Sequence, residues 1–414
     1  MKNEIKNKIY LISLILLGCI LIYNSNNTFL PVHGDEWGHL AQGMFIKEEN
    51  NLGFQHPYYP GYKFHLDYES GYHYYLAGLF TIIPIDPVLI YRYLPMLFFI
   101  LNSICLYYFV NYFKNERTAL LSVLFFITIP SNLNILGNWF AVPLTFSLWM
   151  ILLYFLNLHK LFHKDIFKDK EIIFIMRCIF LALLMFICYP FALFLTIFIS
   201  LIYLSTKTNS YTNSYFPKII ILLIGVLIAL FIHFISPTGL FFNRNFSQFI
   251  YFNNLIHYSS IFGIIGIIGF FVYWKEQKLL ALILLFITSN LLAANIINGS
   301  FFIPYIRYMY YFCVFLAIFT AFGMNYLFTK YPNILSKLAV FIIIIISITF
   351  YYNVPEEVKP YNMITEEDYY ILKTIKEGSI IKNEPRLSMA VYPIAKSKAL
   401  IFEGSNLHNY DLTK

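Results

Sequence analysis

Val32-His33-Gly34-Asp35-Glu36-Trp37 opens a polar stretch that runs to Ser70, and the chain on either side of it is apolar. Before it, Ile9 to Tyr23 form an apolar run preceded by Lys2, Lys6 and Lys8. The next residues, Asn24-Ser25-Asn26-Asn27, offer no small-residue cleavage site, so the run reads as an uncleaved first span rather than a signal peptide. After the polar stretch, Tyr72 to Ile83 are apolar but stop at Pro84. A run of roughly twelve residues is too short to cross a bilayer and suits an interfacial or re-entrant helix.

The remaining chain is a series of apolar runs. Of 414 residues, 59% are hydrophobic and 12% charged, far below the charge of a soluble domain. We expect an all-α polytopic membrane protein with about eleven transmembrane helices. They fall near 9–23, 88–112, 117–133, 140–157, 172–188, 190–204, 218–236, 258–274, 279–297, 306–328 and 338–352. This gives a transmembrane catalytic domain over 1–352, with its first outer loop at 24–87, and a small extracytoplasmic segment at 353–414.

The basic residues orient the array. With 72–83 not crossing, the loops assigned to the cytoplasm hold Lys114, Arg117, Lys160, Lys164, Lys168, Lys170, Lys207, Lys218, Lys275, Lys278, Lys330 and Lys337. The opposing short loops after the third span hold only Arg244 and Arg307. That bias puts the N-terminus inside and the first loop and C-terminus outside. The net charge of +7 is thus a topology signal in a cell-membrane protein, not a nucleic-acid footprint. All five cysteines fall inside apolar runs and none forms a CxxC pair, so neither a disulfide framework nor a thiolate metal site is expected.

The carboxylates are unevenly placed. Between Pro87 and Tyr352 the acids are Glu116, Asp165, Asp169, Glu171 and Glu276, all on the cytoplasmic side. Before the tail, the outer acids all lie between 35 and 86: Asp35, Glu36, Glu48, Glu49, Asp67, Glu69 and Asp86. Trp37, Leu40, Ala41, Met44 and Phe45 recur at helical spacing, with His39, Gln42 and Gly43 on other faces. Asp35 and Glu36 therefore open an amphipathic helix on the membrane surface. An Asp in that place is also an ordinary cap. In the tail, Glu366 to Lys376 suit a helix, and about sixty residues form only a marginal domain alone, so the tail is expected to pack on the outer face.

These features resemble the GT-C superfamily of membrane glycosyltransferases, particularly the branch with protein O-mannosyltransferases and aminoarabinose transferases. A first span leads into Asp35-Glu36, a juxtamembrane helix covers 37–49, and Gly71-Tyr72-His73-Tyr74-Tyr75-Leu76 is similar to the start of a second one without its prolines. Arg92 lies at the next span, and Arg307-Tyr308 precede a late one. At the end of the fourth span the family often carries a second Asp. This chain reads Asn138-Trp139-Phe140-Ala141, which bears against a two-carboxylate or metal-bridged site.

The resemblance implies a hexosyl or pentosyl transferase that uses a polyprenyl-phosphate sugar and a lipid, glycan or protein acceptor at the outer face. Asp35 would be the general base with Glu36 beside it as an auxiliary. The phosphate leaves as an anion, which cations stabilise. Candidates to bind it are Arg92, Arg244 and Arg307, with His73, Tyr308, Asp67 and Glu69 as further substrate contacts. Attack opposite the phosphate inverts the sugar. The histidines match no metal spacing, so no metal ligands are assigned; no cofactor is certain, and a divalent metal is left open but not indicated. Two other readings stand beside this one. A lipid-linked glycan polymerase or ligase would depend on the arginines rather than the first-loop acids. A lipid or glycan transporter would need polar groups at mid-membrane, where the spans lack acids.

Overall fold

The computed structural model describes residues 2–25, 30–49, 69–129, 131, 135–162, 171–207, 242–243, 252–297, 300–301, 305–333, 338–339, 342, 345, 364–381 and 387–399. The span expected at 218–236, most of that at 338–352, and the candidates Asp67 and Arg244 lie outside the described residues.

The described chain is helical. Its helices are α1 (Lys2–Ser25), α2 (Gly34–Glu49), α3 (Ser70–Ile82), α4 (Pro87–Tyr91), α5 (Leu94–Phe113), α6 (Glu116–Ile127), α7 (Pro143–Phe162), α8 (Glu171–Cys188), α9 (Pro190–Lys207), α10 (Phe252–Tyr273), α11 (Lys278–Ile297), α12 (Tyr305–Lys330), α13 (Glu366–Lys373) and α14 (Ser388–Ala395). Two pairs of two-residue strands complete it. β1 (Phe242–Asn243) and β2 (Ser300–Phe301) are antiparallel, while β3 (Ile380–Ile381) and β4 (Lys398–Ala399) are parallel.

Among the described residues five helices are long and apolar enough to cross a membrane: Ile5–Ser25, Pro87–Phe113, Pro143–Phe162, Glu171–Cys188 and Arg307–Lys330. Shorter apolar helices occupy Pro190–Leu204, Gly263–Tyr273 and Lys278–Leu292. Prolines explain where the helices differ from the expected runs. The run expected from 88 is broken at Arg92 and Tyr93, because Pro95 has no N–H for the carbonyl of Tyr91 and its ring crowds that turn. The run expected from 140 starts at Pro143, a favoured first helical residue. α3 ends as the twelve-residue run ends: Ile83 is extended, the conformation that a following proline imposes.

The chain divides into two compact units. One comprises Met1–Ser25, Met96–Trp139 and Leu144–Lys359. Its tightest pairing is α10 with α12, where glycines let two backbones touch. A Cβ on Gly269 would collide with the carbonyl oxygen of Phe319, and one on Gly323 with that of Ile265. Around this seam Phe125, Ile265, Ala317, Ala321 and Met324 form a buried cluster. Two buried polar groups in this unit find remote partners: the Asn102 amide donates to the Thr145 carbonyl at 2.8 Å, and the Tyr310 hydroxyl donates to the Asn138 side chain at 3.2 Å.

The other unit comprises Asn26–Pro95, Phe140–Pro143 and Pro360–Lys414. It gathers the first loop, a four-residue piece that ends on the first residue of α7, and the C-terminal segment. α2 packs on α3 so closely that a Cβ on Gly43 would sit 2.7 Å from the Leu76 Cβ. Trp37, Leu40, Ala41 and Met44 of the apolar stripe are buried, as are Tyr72, Leu76 and Phe80 of α3. Gly43 is buried with them, although its position in the sequence puts it off the stripe.

Candidate functional site

The start of α2 is held by a reciprocal cap built from His33 and Glu36. His33 stands immediately before the helix, and its carbonyl accepts the Glu36 N–H at 3.0 Å. Its ring Nδ1 accepts the Asp35 N–H at 3.1 Å. In return the Glu36 Oε2 accepts the N–H groups of His33 and Val32, each at 3.0 Å. This is a variant of the capping box in which an imidazole nitrogen takes the N–H of the second helical residue in place of a hydroxyl on the third.

Glu36 also binds a distant piece of chain. Its Oε1 accepts the Ala141 N–H at 2.8 Å. The Ala141 carbonyl in turn accepts the hydroxyls of Tyr72, at 2.9 Å, and Tyr91, at 2.5 Å. One carboxylate and two phenols thus fix the peptide at 140–143 to α2, α3 and α4. Glu36 is 2% exposed. Burial pushes its carboxyl above the usual range, and the backbone donors at Ala141, His33 and Val32 oppose that shift. Burial likewise pushes the Tyr72 phenol well up. Trp37 completes the frame by donating its indole N–H to the Pro31 carbonyl at 3.1 Å.

Asp35 is the contrast. Its side chain is 49% exposed, and its Oδ2 lies 3.8 Å from the His33 Nδ1. Two neighbouring acids therefore take different roles: Glu36 has both oxygens on backbone donors, while Asp35 presents its carboxylate outward from the first turn of α2.

One helical turn further on, His39 joins the candidates Glu69 and His73. The His39 Nδ1 lies 2.9 Å from the His73 Nε2, and the His39 Nε2 lies 3.9 Å from a Glu69 oxygen. His73 is 4% exposed, and burial pushes its imidazole down to about 3, so it is neutral at physiological pH. One of the paired nitrogens must donate and the other accept. The His39 ring also stands edge-on to Tyr72, with centroids 5.3 Å apart.

The candidates named from the sequence therefore fall into two groups. Asp35, Glu36, Glu69, His73 and Arg92 belong to one unit. Arg92 ends α4 half-buried, at the break that Pro95 causes. Arg307 and Tyr308 belong to the other unit, where the Arg307 guanidinium lies 5.5 Å from the Tyr189 ring centre and 5.3 Å from that of Phe191, and Tyr308 is 1% exposed. Sequence reasoning missed His39. Its signal was the spacing from Asp35, four residues on one helix face. It also missed the Ala141 peptide, for which no side-chain signal exists.

No family model matches the sequence, and a comparison with curated proteins finds no match. Solved structures do match. The Archaeoglobus fulgidus oligosaccharyltransferase in complex with zinc and sulfate superposes with a TM-score of 0.59 at 12% identity, covering 94% of this chain. The same archaeal enzyme, AglB, with an inhibitory peptide and a dolichol-phosphate gives 0.60 at 12% identity over 95% of this chain. The chain has the GT-C fold. It spans 62% and 64% of those two longer structures. Zinc is present in one of them. Among the described residues no group of three or more His, Cys, Asp and Glu side chains could hold a metal. The Glu36 oxygens are engaged by N–H donors, and the Asp35 neighbour His33 already uses its Nδ1 as an acceptor.

Proposed function

We propose that this GT-C chain is a membrane glycosyltransferase that moves a sugar from a polyprenyl-phosphate carrier to an acceptor at the outer face, with inversion and with Asp35 as the base. The observation that carries this is the division of labour between two adjacent acids. Glu36 is spent on three backbone donors and fixes the start of α2. Asp35 is left exposed on a helix turn that cannot shift without breaking that cap. Support for a lipid-phosphate donor comes from the AglB structure, which binds a dolichol-phosphate. Support for a protein acceptor comes from a further structure of that enzyme, tethered to an acceptor peptide, with a TM-score of 0.57 and 12% identity over 95% of this chain and 64% of its own.

In this mechanism Asp35 takes the proton of the acceptor as the acceptor atom bonds to the anomeric carbon. The bond from that carbon to the phosphate oxygen breaks on the opposite face, and the lipid phosphate leaves as an anion without needing a proton. Glu36 is a positioning residue rather than a partner of the acceptor. His39, Glu69 and His73 line the same helix pair and serve as hydrogen-bonding groups toward substrate. Arg92, Arg244 and Arg307 are the cations proposed for the leaving phosphate.

The experiment is reconstitution of the purified chain in vesicles containing a polyprenyl-phosphate sugar and an acceptor, with product followed by mass spectrometry. Sugar moves from carrier to acceptor in the wild type, and an impermeant thiol reagent labels Gln42→Cys from outside. No product with any carrier, or labelling only from inside, overturns the proposal. Arg244→Ala and Arg307→Ala abolishing product while Asp35→Asn has no effect would transfer the assignment to the polymerase or ligase class.

A further inference from the structure

The C-terminal segment repeats one device. α13 carries Tyr369 and, four residues on, Lys373; α14 carries Tyr392, and Lys396, four residues on, is the residue that follows that helix; each pair meets one carboxylate of the first loop. The Tyr392 hydroxyl donates to the Glu48 Oε2 at 2.9 Å, and the Lys396 amine lies 3.1 Å from the Glu48 Oε1. The Tyr369 hydroxyl donates to the Asp86 Oδ2 at 3.2 Å, and the Lys373 amine lies 3.4 Å from the same oxygen.

The two carboxylates sit at strategic places. Glu48 is in the last turn of α2, the helix that begins with Asp35. Asp86 caps α4, where its other oxygen accepts the Val88 N–H at 3.0 Å. The contacts are backed by burial: Tyr369, Leu372, Ala390 and Val391 are all buried, and Tyr392 packs its ring on Phe45 with centroids 6.0 Å apart.

The backbone at Lys396 takes a conformation unusual for a lysine. Lys396 ends α14 with φ of 47°, a left-handed conformation that suits glycine and disfavours a side chain with a Cβ. A glycine there would end the helix with less strain but could not reach Glu48. The Lys396 carbonyl accepts the Gly378 N–H at 3.1 Å, which ties this turn back to the loop after α13.

We infer that residues 364–381 and 387–399 form a two-point strap in which Tyr392 and Lys396, acting on Glu48, and Tyr369 and Lys373, acting on Asp86, are positioning residues for α2 and α4. The strap fixes the far end of the helix whose near end is fixed by the cap at Glu36. Its bearing on catalysis rests on the proposed role of Asp35, but the strap itself does not.

The test is amide hydrogen exchange, read by mass spectrometry, on the full chain in detergent micelles, with no substrate. Because the Lys396 amine also lies 3.9 Å from a Glu377 oxygen, the swaps are made in a Glu377→Gln background, where Glu48→Lys and Lys396→Glu each leave two like charges facing one another and that background is the reference. Each single variant exchanges about tenfold faster over 34–49, as expected for loss of a charged hydrogen-bonded contact. The double swap restores the reference protection, while α10 and α12 are unchanged in all three. Tyr369→Phe with Lys373→Met speeds exchange over 87–91 in the same way. Single variants that exchange like the reference would refute the strap. So would a double swap that stays as fast as the singles, because the pair would then not be the cause. Faster exchange in α10 and α12 as well would show general unfolding and count equally against it. Absence of sugar transfer in the vesicle assay leaves these outcomes unaffected.

Discussion

Replacing Glu36 tests the frame of the site most sharply, because the structure separates what two substitutions remove. The carboxylate holds three N–H groups, from Val32, His33 and Ala141, with the Val32 and Ala141 residues 4% and 0% exposed. A glutamine keeps one carbonyl oxygen. It does best by turning that oxygen to Val32 and His33 and leaving Ala141 facing an amide NH2, so one buried donor is lost, at about 1–3 kcal/mol. Alanine orphans all three donors and empties the site, which costs about 3–5 kcal/mol, a large share of a typical domain's stability. The order of stability is therefore Glu, then Gln, then Ala. Thermal unfolding in detergent gives that order, and hydrogen exchange at the Ala141 amide shows where the loss begins.

The pH dependence adds a sign. Burial holds the Glu36 carboxyl above its ordinary value of 4.5, so the folded chain keeps this proton longer than the unfolded chain. Its contribution to stability is greatest below 4.5 and falls as pH rises through the raised value. Glu36→Gln removes that dependence along with the group. Equal melting temperatures for Gln and Ala, or loss of protection at α2 without loss at Ala141, would refute the reasoning.

Other parts of the structure give three further outcomes. Burial lowers the His73 imidazole from 6.5 to about 3, so stability is fully retained above pH 6.5 and is lost as pH falls toward 3, by up to about 1.4 kcal/mol per pH unit. His73→Gln removes that part of the acid slope in a denaturation series from pH 7 to 4, and an unchanged slope would contradict it. Gly323→Val drives a side chain into the Ile265 carbonyl and costs about 1–3 kcal/mol or more in thermal unfolding, whereas Gly38→Ala, which meets nothing within 4 Å, changes stability little. Tyr72→Phe costs only about 0.5–1.5 kcal/mol in the same assay, because Tyr91 still donates to the Ala141 carbonyl.

Much of the architecture was legible in the residues. The apolar run that stops at Pro84 was too short to cross, and it is the thirteen-residue helix α3. The stripe through Trp37, Leu40, Ala41, Met44 and Phe45 is legible as one helix face; the first four are buried and Phe45 is half-buried. The cap was hidden for a physical reason: the usual signature starts with a hydroxyl or carboxamide, and His33 does the same work through a nitrogen whose tautomer a sequence does not display. The role of Glu36 was hidden as well, because its partner is a peptide N–H 105 residues away. In the tail, the Tyr–Lys spacing is plain to read, but its carboxylate partners lie 283 and 344 residues earlier in the chain. Local pattern identified the elements. The pairing of remote elements depended on backbone groups and single carboxylates that carry no periodicity.

The central claim is that Asp35 takes the acceptor's proton, and the turnover of Asp35→Asn in sealed vesicles supplied with a polyprenyl-phosphate sugar tests it most directly. The account predicts product formation reduced by about 10²–10⁴-fold, with the protein folded, inserted and still binding the carrier, and partial recovery in Asp35→Glu. Turnover in Asp35→Asn equal to that of the wild type would contradict it.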